Sequence, residues 1–334
     1  MAETITMLDI VTKQNPVRDR EVVKDAMGAA PVISKLPSAT IAGTTYQFRR
    51  RVGIPIVGPR GANEGVDTYK TDYEVKSDNC FIYNGIIKVD EAVAMADPEG
   101  PGTVMSEEAE SHLQGMLFGM ECNLFYGKMA YPDGFGGFPD SIGDYMTISA
   151  DPAHNTTETA TKGGASVWAV VAENKYLRMM YGNNKVLTFS PVQKGYATDA
   201  NGKEMPVLRQ NVLAWTGLTV RSEFALAHLQ NVSETHKLTD NMLASLLALF
   251  PANVQPTFLV MNKAVGKMLQ DSRSGSTKFV KGQGGNATVA DWPTEYKGIP
   301  ILYTDALLDD ETEEKIAKLA ASHKVSAVKR GTIK

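Results

Sequence analysis

The stretch SEEAESHLQGMLFGMECNLFYGKM, residues 106–129, carries the longest helical pattern in the sequence. Ser106 is a predicted N-cap, and Glu107 and Glu108 after it favour the positive end of the helix dipole. Apolar side chains recur at i, i+3, i+4, i+7 and i+11, namely at Leu113, Met116, Leu117, Met120 and Leu124. The pattern predicts one long amphipathic helix, over 104–130, with a single face in a core.

Two glycines and two breakers define this helix further. Gly115 and Gly119 each cost about 1 kcal/mol against alanine inside a helix, so we expect them to allow close contact with another backbone. The breaker DPEGPG, residues 97–102, precedes the helix, and Pro132 follows it. The sequence therefore predicts one uninterrupted helix between two loops.

Upstream of the helix, the sequence predicts a long two-stranded ribbon. Residues 44–56 have strand-like alternation, the turn GPRG occupies 58–61, and the returning strand extends from Asp67 to Asp90. Such a ribbon has too few apolar positions for a core of its own, and an isolated two-stranded hairpin is marginally stable in water. We therefore expect it to lie on another chain.

Residues 1–40 are predicted to form an extended arm, because Pro16, Pro31 and Pro37 interrupt its short apolar runs. A local helix from Arg18 to Met27 is compatible with the pattern. Terminal segments of this kind are poorly ordered unless something holds them. We therefore expect the arm to need a neighbour.

Downstream of the helix, strands predominate as far as Val232. They are predicted at Ser166–Ala172, Tyr176–Tyr181, Lys185–Phe189 and Leu208–Gln230. The last third alternates instead: a helix closes at Pro251, a buried strand covers 258–261, Asn262 caps a second helix, and a strand covers 298–303. This alternation is typical of a small α/β unit, and the whole chain is predicted to be α+β.

The composition argues against several classes of protein. Of the 334 residues, 43% are apolar and 22% are charged, and the formal net charge is −4. The chain can therefore build one or two cores, and it lacks the basic excess of a nucleic-acid-binding surface. Its N-terminus carries Glu3 and Asp9, unlike a signal peptide, and no apolar run approaches the ~18 residues of a membrane span. No membrane partner is expected.

No motif predicts catalysis, a cofactor or a metal. The glycine-rich stretches that begin at Asp133 and Gly282 lack the Lys-Ser/Thr of a phosphate-binding loop. The five histidines have no metal-ligand spacing, and no nucleophile elbow is present. Cys80 and Cys122 are predicted to be reduced, buried thiols. We therefore predict no catalytic, cofactor-binding or metal-binding residue.

The densest basic run is Arg49, Arg50 and Arg51. Alternate residues of a strand point to opposite faces, so this run is a poor continuous patch for phosphate contact. We favour pairing with acidic groups of a neighbouring copy, since the same chain carries Asp97, Glu99, Glu107 and Glu108. The predicted subunit-interface candidates are Arg49, Arg50, Arg51, Arg60, Glu107 and Glu108.

Five short stretches follow one another along the chain: GGASVWAV at 163–170, GLTVR at 217–221, FLVMNK at 258–263, GIPI at 298–301 and TDAL at 304–307. They resemble stretches of the major capsid proteins of short-tailed podoviruses, over about residues 40–310. The order of arm, ribbon, long helix, strand-rich region and α/β unit resembles the Hong Kong-phage-type fold of tailed-phage capsid proteins. The Trp168 strand precedes the Asn262 element, which many of those proteins place earlier, so a permuted topology is compatible with the resemblance.

This resemblance implies an α+β Hong Kong-phage-type fold with five parts. They are an N-terminal arm over 1–40, an extended-loop hairpin over 41–90, a peripheral domain over 91–235 that contains the spine helix 104–130, an axial α/β domain over 236–310, and a C-terminal tail over 311–334.

The resemblance also implies a function. A protein of this family is a shell subunit without a cofactor, and it forms hexamers and pentamers of an icosahedral head around double-stranded DNA. Expected partners are further copies of the chain, scaffolding, portal and cement or decoration proteins, and DNA through weak non-specific contact. The expected location is the virion, after assembly in the host cytoplasm.

Three alternatives stay open at the level of the sequence. An encapsulin-like compartment of the host would use the same fold to enclose cargo protein. A soluble enzyme would bind a small ligand in the α/β unit between Asn262 and Tyr303. A tail or decoration protein would form tubes, small rings or monomers.

Overall fold

The computed structural model describes residues 5–7, 27–51, 53, 55–66, 68–152, 163–280 and 290–321. In these residues, the chain forms two six-stranded sheets, one two-stranded ribbon and a long helix that packs on the first sheet. The predicted helix from Arg18 lies outside the described residues except for Met27. The loop at Gly282 and residues 322–334 of the predicted tail also lie outside them.

The long helix, α2, spans Pro101–Tyr126 and follows a short helix α1, Glu91–Ala96. Ser106 is not its N-cap, contrary to the prediction: its hydroxyl donates to the Gly102 carbonyl inside the helix, at 3.0 Å. Gly100 occupies the N-cap position, with a φ of 88°. Proline is preorganised for the first helical position, so Pro101 starts the helix one turn earlier than predicted and leaves the glutamates in the second turn.

The predicted apolar face of α2 is confirmed. Leu113, Leu117, Met120 and Leu124 are fully buried, and Met116 packs at the edge of the same core. The last two turns go further, since every residue from Met120 to Tyr126 is buried. The helix therefore enters the protein interior at its C-terminal end, which the single-face pattern did not predict.

A glycine-rich turn closes this end of α2. Phe138 is fully buried, with its ring 5.6 Å from that of Phe125 and 5.4 Å from that of Trp168. A Cβ on Gly137 would lie 2.6 Å from the Asn123 carbonyl oxygen. Only a glycine allows this close approach of the turn to the helix backbone.

The predicted ribbon is shorter than expected. Strand β2, Thr45–Arg51, pairs antiparallel with β3, Tyr73–Asn79. The predicted returning strand continues after Cys80 as β4, Phe81–Asp90, which leaves the ribbon and pairs with a strand of the first sheet. This division occurs because β4 buries Ile87 and packs on α2, whereas β3 buries no side chain.

The first sheet has the order β1-β7-β10-β4, with β8 and β9 also paired to β10. Its longest ladder joins β4 and β10 in antiparallel register, from Phe81↔Thr216 to Asp90↔Val207. The predicted long strand from Leu208 to Gln230 is divided between two sheets. The remaining strands are β1 Ser38–Thr40, β7 Leu177–Tyr181, β8 Thr188–Phe189, β9 Gln193–Thr198 and β10 Glu204–Val220.

The second sheet has the order β13-β14-β12-β6-β11-β5. Trp168 lies on β6, which is buried along its whole length between β11 and β12. The predicted limit at residue 235 therefore does not separate the two sheets, and the division into peripheral and axial domains stays a prediction. The strands are β5 Thr147–Ser149, β6 Ala165–Val170, β11 Leu226–Val232, β12 Phe258–Met261, β13 Glu295–Tyr296 and β14 Ile299–Tyr303.

Helices α3 Asp240–Ala248 and α4 Lys263–Val280 pack with the second sheet, and α5 Glu313–Ala321 packs beside α2. The predicted cap of α4 is confirmed, because Asn262 Oδ1 accepts from the Val265 N–H at 2.8 Å. Helix α5 corrects the predicted tail, since its Ile316 and Leu319 are buried in the core beside α2. Short 3-10 turns occupy Met27–Ala29, Ile33–Lys35, Gly127–Met129, Asp144–Met146 and Glu223–Ala225.

Candidate assembly interfaces

The ribbon and the segment that connects its strands expose apolar side chains to an unusual degree. Ile56 is 88% exposed and Val57 is 77% exposed. Further exposed apolar residues of this part are Val66, Tyr69, Tyr73 and Val75. Contiguous exposed apolar surface marks sites of protein association, and an apolar ribbon of this kind suits contact with another chain.

A second group of exposed apolar residues continues from the ribbon along the first sheet. Ile82 and Ile86 are exposed on β4, opposite Trp215 and Asn211 of β10. Helix α1, which follows β4, exposes Val93 and Met95, and Tyr196 is exposed on β9. The exposed apolar surface is thus concentrated on the ribbon and on the strands next to it.

The three consecutive arginines of β2 point to two faces, as the alternation predicted. Arg50 lies on the face that contacts the rest of the subunit, where its guanidinium donates to the Glu223 carboxylate. Arg49 and Arg51 are exposed on the other face. Within the described chain, no hydrogen bond or ion pair joins either of them to another side chain.

The other interface candidates lie on exposed surface. Arg60 belongs to the segment that connects β2 and β3, and its guanidinium donates to the Glu64 carbonyl at 2.7 Å. Glu107 and Glu108 are exposed on α2, where the Glu108 carboxylate lies 3.8 Å from His112 Nδ1. Their predicted pairing with arginines of another copy is untested by a single chain.

The interior contains a buried carboxylate at the end of α2. Glu121 is fully buried, and its Oε2 accepts from the backbone N–H groups of Val32 and Ile33, at 3.0 and 3.2 Å. The Thr304 hydroxyl donates to its Oε1. Burial raises the pKa of Glu121 to about 7. This one side chain joins the helix to the arm and to the segment after β14.

A second buried carboxylate, that of Glu311, contacts α2 at Tyr126, about one turn beyond Glu121. Glu311 accepts from the Ser166 hydroxyl and from the Tyr126 hydroxyl, the latter at 3.2 Å. Tyr126 in turn accepts from the Leu308 N–H at 2.8 Å. Burial raises the pKa of Glu311 to about 7 as well. Together, the hydrogen bonds of the two carboxylates connect α2 with β6, with the arm and with the segment 304–311.

Ser166, His228 and Glu311 are close together but do not have the arrangement of a nucleophilic serine. Ser166 donates to Glu311, and His228 Nε2 lies 2.8 Å from the serine oxygen. A catalytic serine instead donates to its histidine, and the carboxylate orients that histidine. His228 stacks on Trp168 with ring centroids 3.9 Å apart, and burial lowers its pKa to about 3. The network is therefore structural.

A cleft of about 730 Å³ lies beside α3, at the base of the α/β unit. Arg273 crosses it and forms a bidentate contact with Asp240, at 2.8 and 3.1 Å. Asn262, the first residue of the unit in the ligand-binding alternative, has a structural role: besides capping α4, its Nδ2 donates to the Leu308 carbonyl at 3.0 Å.

Among the described residues, no group of His, Cys, Asp and Glu is arranged to hold a metal ion. No helix in that part of the chain is long and apolar enough to cross a bilayer. Cys80 and Cys122 are free and buried.

The sequence did not identify Glu121, Glu223 or Glu311. Glu121 had a local signal, because it is a charged residue within the apolar run from Leu117 to Leu124. Glu223 and Glu311 had none, because their partners lie far away in sequence, 173 residues in the case of Arg50 and Glu223.

Comparison with known proteins assigns this architecture. The family model of major capsid protein GP7 matches residues 39–315. A chain of bacteriophage Epsilon15 is similar in structure, with 17% identity, a TM-score of 0.50, and coverage of 94% of this chain and 98% of that chain. The bacteriophage JBD30 capsid has 12% identity, a TM-score of 0.52, and coverage of 91% and 95%.

No curated protein matches the sequence. The two phage structures confirm the expected Hong Kong-phage-type fold, and the family match establishes a structural role in a phage head. The chain therefore belongs to the major capsid protein GP7 family, the shell-building proteins of tailed bacteriophages.

Proposed function

We propose that this subunit assembles with copies of itself into hexamers and pentamers, which close an icosahedral head around double-stranded DNA. The observation that carries the proposal is the exposed apolar ribbon, from β2 to β3. Its side chains Ile56 and Val57 have almost no contact within their own subunit. Covering them with a neighbouring copy removes apolar surface from water, which stabilises the assembled state.

Charge complementarity supports the same geometry. Arg49 and Arg51 point away from their own subunit, and Arg60 lies in the exposed connecting segment. Glu107 and Glu108 present negative charge on α2. In a ring of identical subunits, one patch faces the other, so these groups steer and orient the contact.

The remaining partners follow from the proposed role. A scaffolding protein, a portal protein and a cement or decoration protein would act with the shell, and the host cytoplasm would be the place of assembly. With a formal net charge of −4, the wall would make only weak, non-specific contact with packaged DNA. A shell wall of this kind needs no catalytic group.

The test combines negative-stain electron microscopy with sedimentation velocity on the purified full chain. The wild type should form closed shells, or five- and six-membered rings, with scaffolding supplied where needed. The double substitution Ile56→Ser and Val57→Ser should leave a folded, unassembled subunit. Met129→Ser, at an exposed apolar residue in the 3-10 turn after α2, is the matched control and should assemble normally. A wild type that stays monomeric at high concentration with scaffolding would overturn the proposal.

A further inference from the structure

One face of the ribbon is fastened to the subunit from which it projects. Tyr46, Phe48 and Arg50 alternate along β2 and share this face. The Tyr46 ring lies 4.5 Å from the Arg178 guanidinium on β7, and Phe48 is buried. These contacts and the ion pair of Arg50 hold β2 on its own subunit, and β3 contacts β10, where the Asp78 side chain is hydrogen-bonded to Thr219.

The ion pair of Arg50 is part of a three-residue cluster. Arg50 donates to one oxygen of the Glu223 carboxylate, and the Tyr145 hydroxyl donates to the other. Glu223 lies on the turn between β10 and β11, and Tyr145 lies on the turn before β5. The Tyr145 ring also packs edge-on against Phe224, at 6.4 Å. The cluster therefore connects the ribbon to both sheets.

Burial and choice of partner distinguish Arg50 from its neighbours. Its side chain is 11% exposed, while the residues on either side of it are exposed. A guanidinium is seldom buried unless it is paired. Another carboxylate is present on the facing strand, because Glu74 stands opposite Arg50 in the β2–β3 ladder. Glu74 instead lies 3.9 Å from Lys76, and Arg50 pairs with Glu223, 173 residues away.

The backbone joins the ribbon to the subunit at a narrow base. Both strands leave the subunit where the Cys80 N–H donates to the Thr44 carbonyl at 2.7 Å. Beyond that base, β2 and β3 pair only with each other among the described strands. Side chains that reach back to the subunit therefore determine its direction.

We infer that Arg50, Glu223 and Tyr145 form a latch within one subunit, which fixes the angle at which the ribbon projects toward its neighbour. This assignment rests on the proposed function for its consequence, which is that the angle restricts the curvature of the shell. It divides the arginines of β2 into two roles: Arg50 directs the ribbon, and Arg49 and Arg51 contact the next copy. Arg50 is then a positioning residue rather than an interface residue.

The first test is hydrogen exchange on the unassembled full-length subunit. Arg50→Glu and Glu223→Arg should each speed amide exchange in residues 45–51 and 73–79 by about tenfold, because the ribbon opens more often. The double variant that carries both changes should return exchange to within about twofold of the wild type, as restored pairs do. Arg51→Glu, one residue away on the outer face, is the control and should leave exchange unchanged.

Tyr145→Phe removes one hydroxyl and keeps the ring, so it provides a mild variant if a charge reversal does not fold. It should speed ribbon exchange by about twofold to threefold. Unchanged exchange in the folded variants, or a double variant no better than the single ones, would overturn the latch. Because this readout needs no assembly, it is independent of whether the chain forms shells.

The second test measures the diameters of assembled particles by electron microscopy. Loosened ribbons should broaden the distribution of diameters, and the double variant should narrow it again. Equal mixing of Arg50→Glu and Glu223→Arg subunits should not restore uniform particles, since neither chain can complete its own latch. Restoration by mixing would show instead that the pair forms between subunits. Uniform particles despite fast exchange would refute the link between ribbon angle and curvature.

Discussion

The ribbon exposes Ile56, Val57 and Val75, whereas the end of α2 from Met120 to Tyr126 is buried on every side. The two regions also treat charge differently. Arg50 meets its partner at a partly exposed surface, while Glu121 is held in the interior by hydrogen-bond donors alone. The difference separates two properties: the α2 end stabilises the subunit, and the ribbon would be covered by a neighbour in the proposed assembly. Substitutions at the α2 end should therefore change the unfolding free energy, and substitutions on the ribbon should change assembly.

The largest expected effect is on unfolding, from Phe138→Ala. Its ring is fully buried between Phe125 and Trp168, and phenylalanine-to-alanine changes in cores cost about 3–5 kcal/mol. Urea unfolding of the unassembled subunit measures the loss. Phe138→Leu, which keeps most of the volume, should cost clearly less. A loss no greater than that of Val75→Ala on the ribbon would remove the distinction between the two regions.

A somewhat smaller loss is expected from Glu121→Ala. The substitution leaves the N–H groups of Val32 and Ile33 buried without an acceptor, at a cost of about 2–4 kcal/mol in unfolding free energy. The arm should also loosen, which limited proteolysis near residue 30 would detect. Glu110→Ala on the outer part of α2 is the matched control. Proteolysis at the wild-type rate would mean that the carboxylate does not hold the arm.

The buried carboxylates also predict an unusual pH dependence of stability. Their folded-state pKa of about 7 exceeds the usual value of 4.5, so their contribution is full below pH 4.5 and is lost as the pH rises to 7. His228 has the opposite effect, because burial lowers its pKa from 6.5 to about 3. Its contribution to stability is full above pH 6.5 and is lost as the pH falls from 6.5 to 3. Two carboxylates outweigh one histidine, so stability should fall from pH 4.5 to 6.5, by on the order of 1 kcal/mol per unit.

The double substitution Glu121→Gln and Glu311→Gln tests this balance. Without the two carboxylates, His228 determines the slope, and stability should rise with pH over the same interval. Denaturant midpoints at several pH values measure the slope in both proteins. An unchanged slope in the double variant would show that other groups govern the pH response.

The smallest effect on unfolding is expected on the outer face of the ribbon. Arg49→Glu combined with Arg51→Glu should change the unfolding free energy by less than about 0.5 kcal/mol, because both side chains are exposed. Assembly should nevertheless weaken, since the contact with acidic groups of the next copy becomes repulsive. Sedimentation velocity measures the assembled fraction, with Lys128→Glu as an exposed control. Normal shells at ordinary salt would exclude an interface role for both arginines.

Local sequence patterns predicted the helices and strands that depend on residues close together in the sequence. The apolar face of α2, the strand Phe258–Met261 and the Asn262 cap follow from periodicity and from capping chemistry. The start of α2 was placed too late because Ser106 was a plausible cap, while Gly100 and Pro101 had been assigned to the breaker. Short-range preference decides such elements, and the helix starts at Pro101 instead of residue 104 and ends at Tyr126 instead of residue 130.

Partners distant in sequence could not be predicted. Alternation identified strand residues from Asp67 to Asp90, but it does not specify which strand pairs with which, so the division at Cys80 was missed. The sequence did not identify Glu223 of the same chain as a carboxylate partner of Arg50, and the expected pairing of Arg50 between subunits stays a prediction. The roles of Glu121 and Glu311 likewise depend on contacts across more than half the chain.

The contact between Tyr126 and Glu311 also bears on synthesis. The two residues are 185 positions apart, which at ~5–20 residues per second corresponds to about 10–40 s of translation. During that interval the end of α2 has been made, but the segment that buries it has not yet left the ribosome. The ribbon, which is encoded earlier, is already exposed. Nascent chains therefore expose the apolar ribbon before the fold around α2 is complete. Premature association of neighbouring nascent chains on one messenger RNA is a hazard during expression.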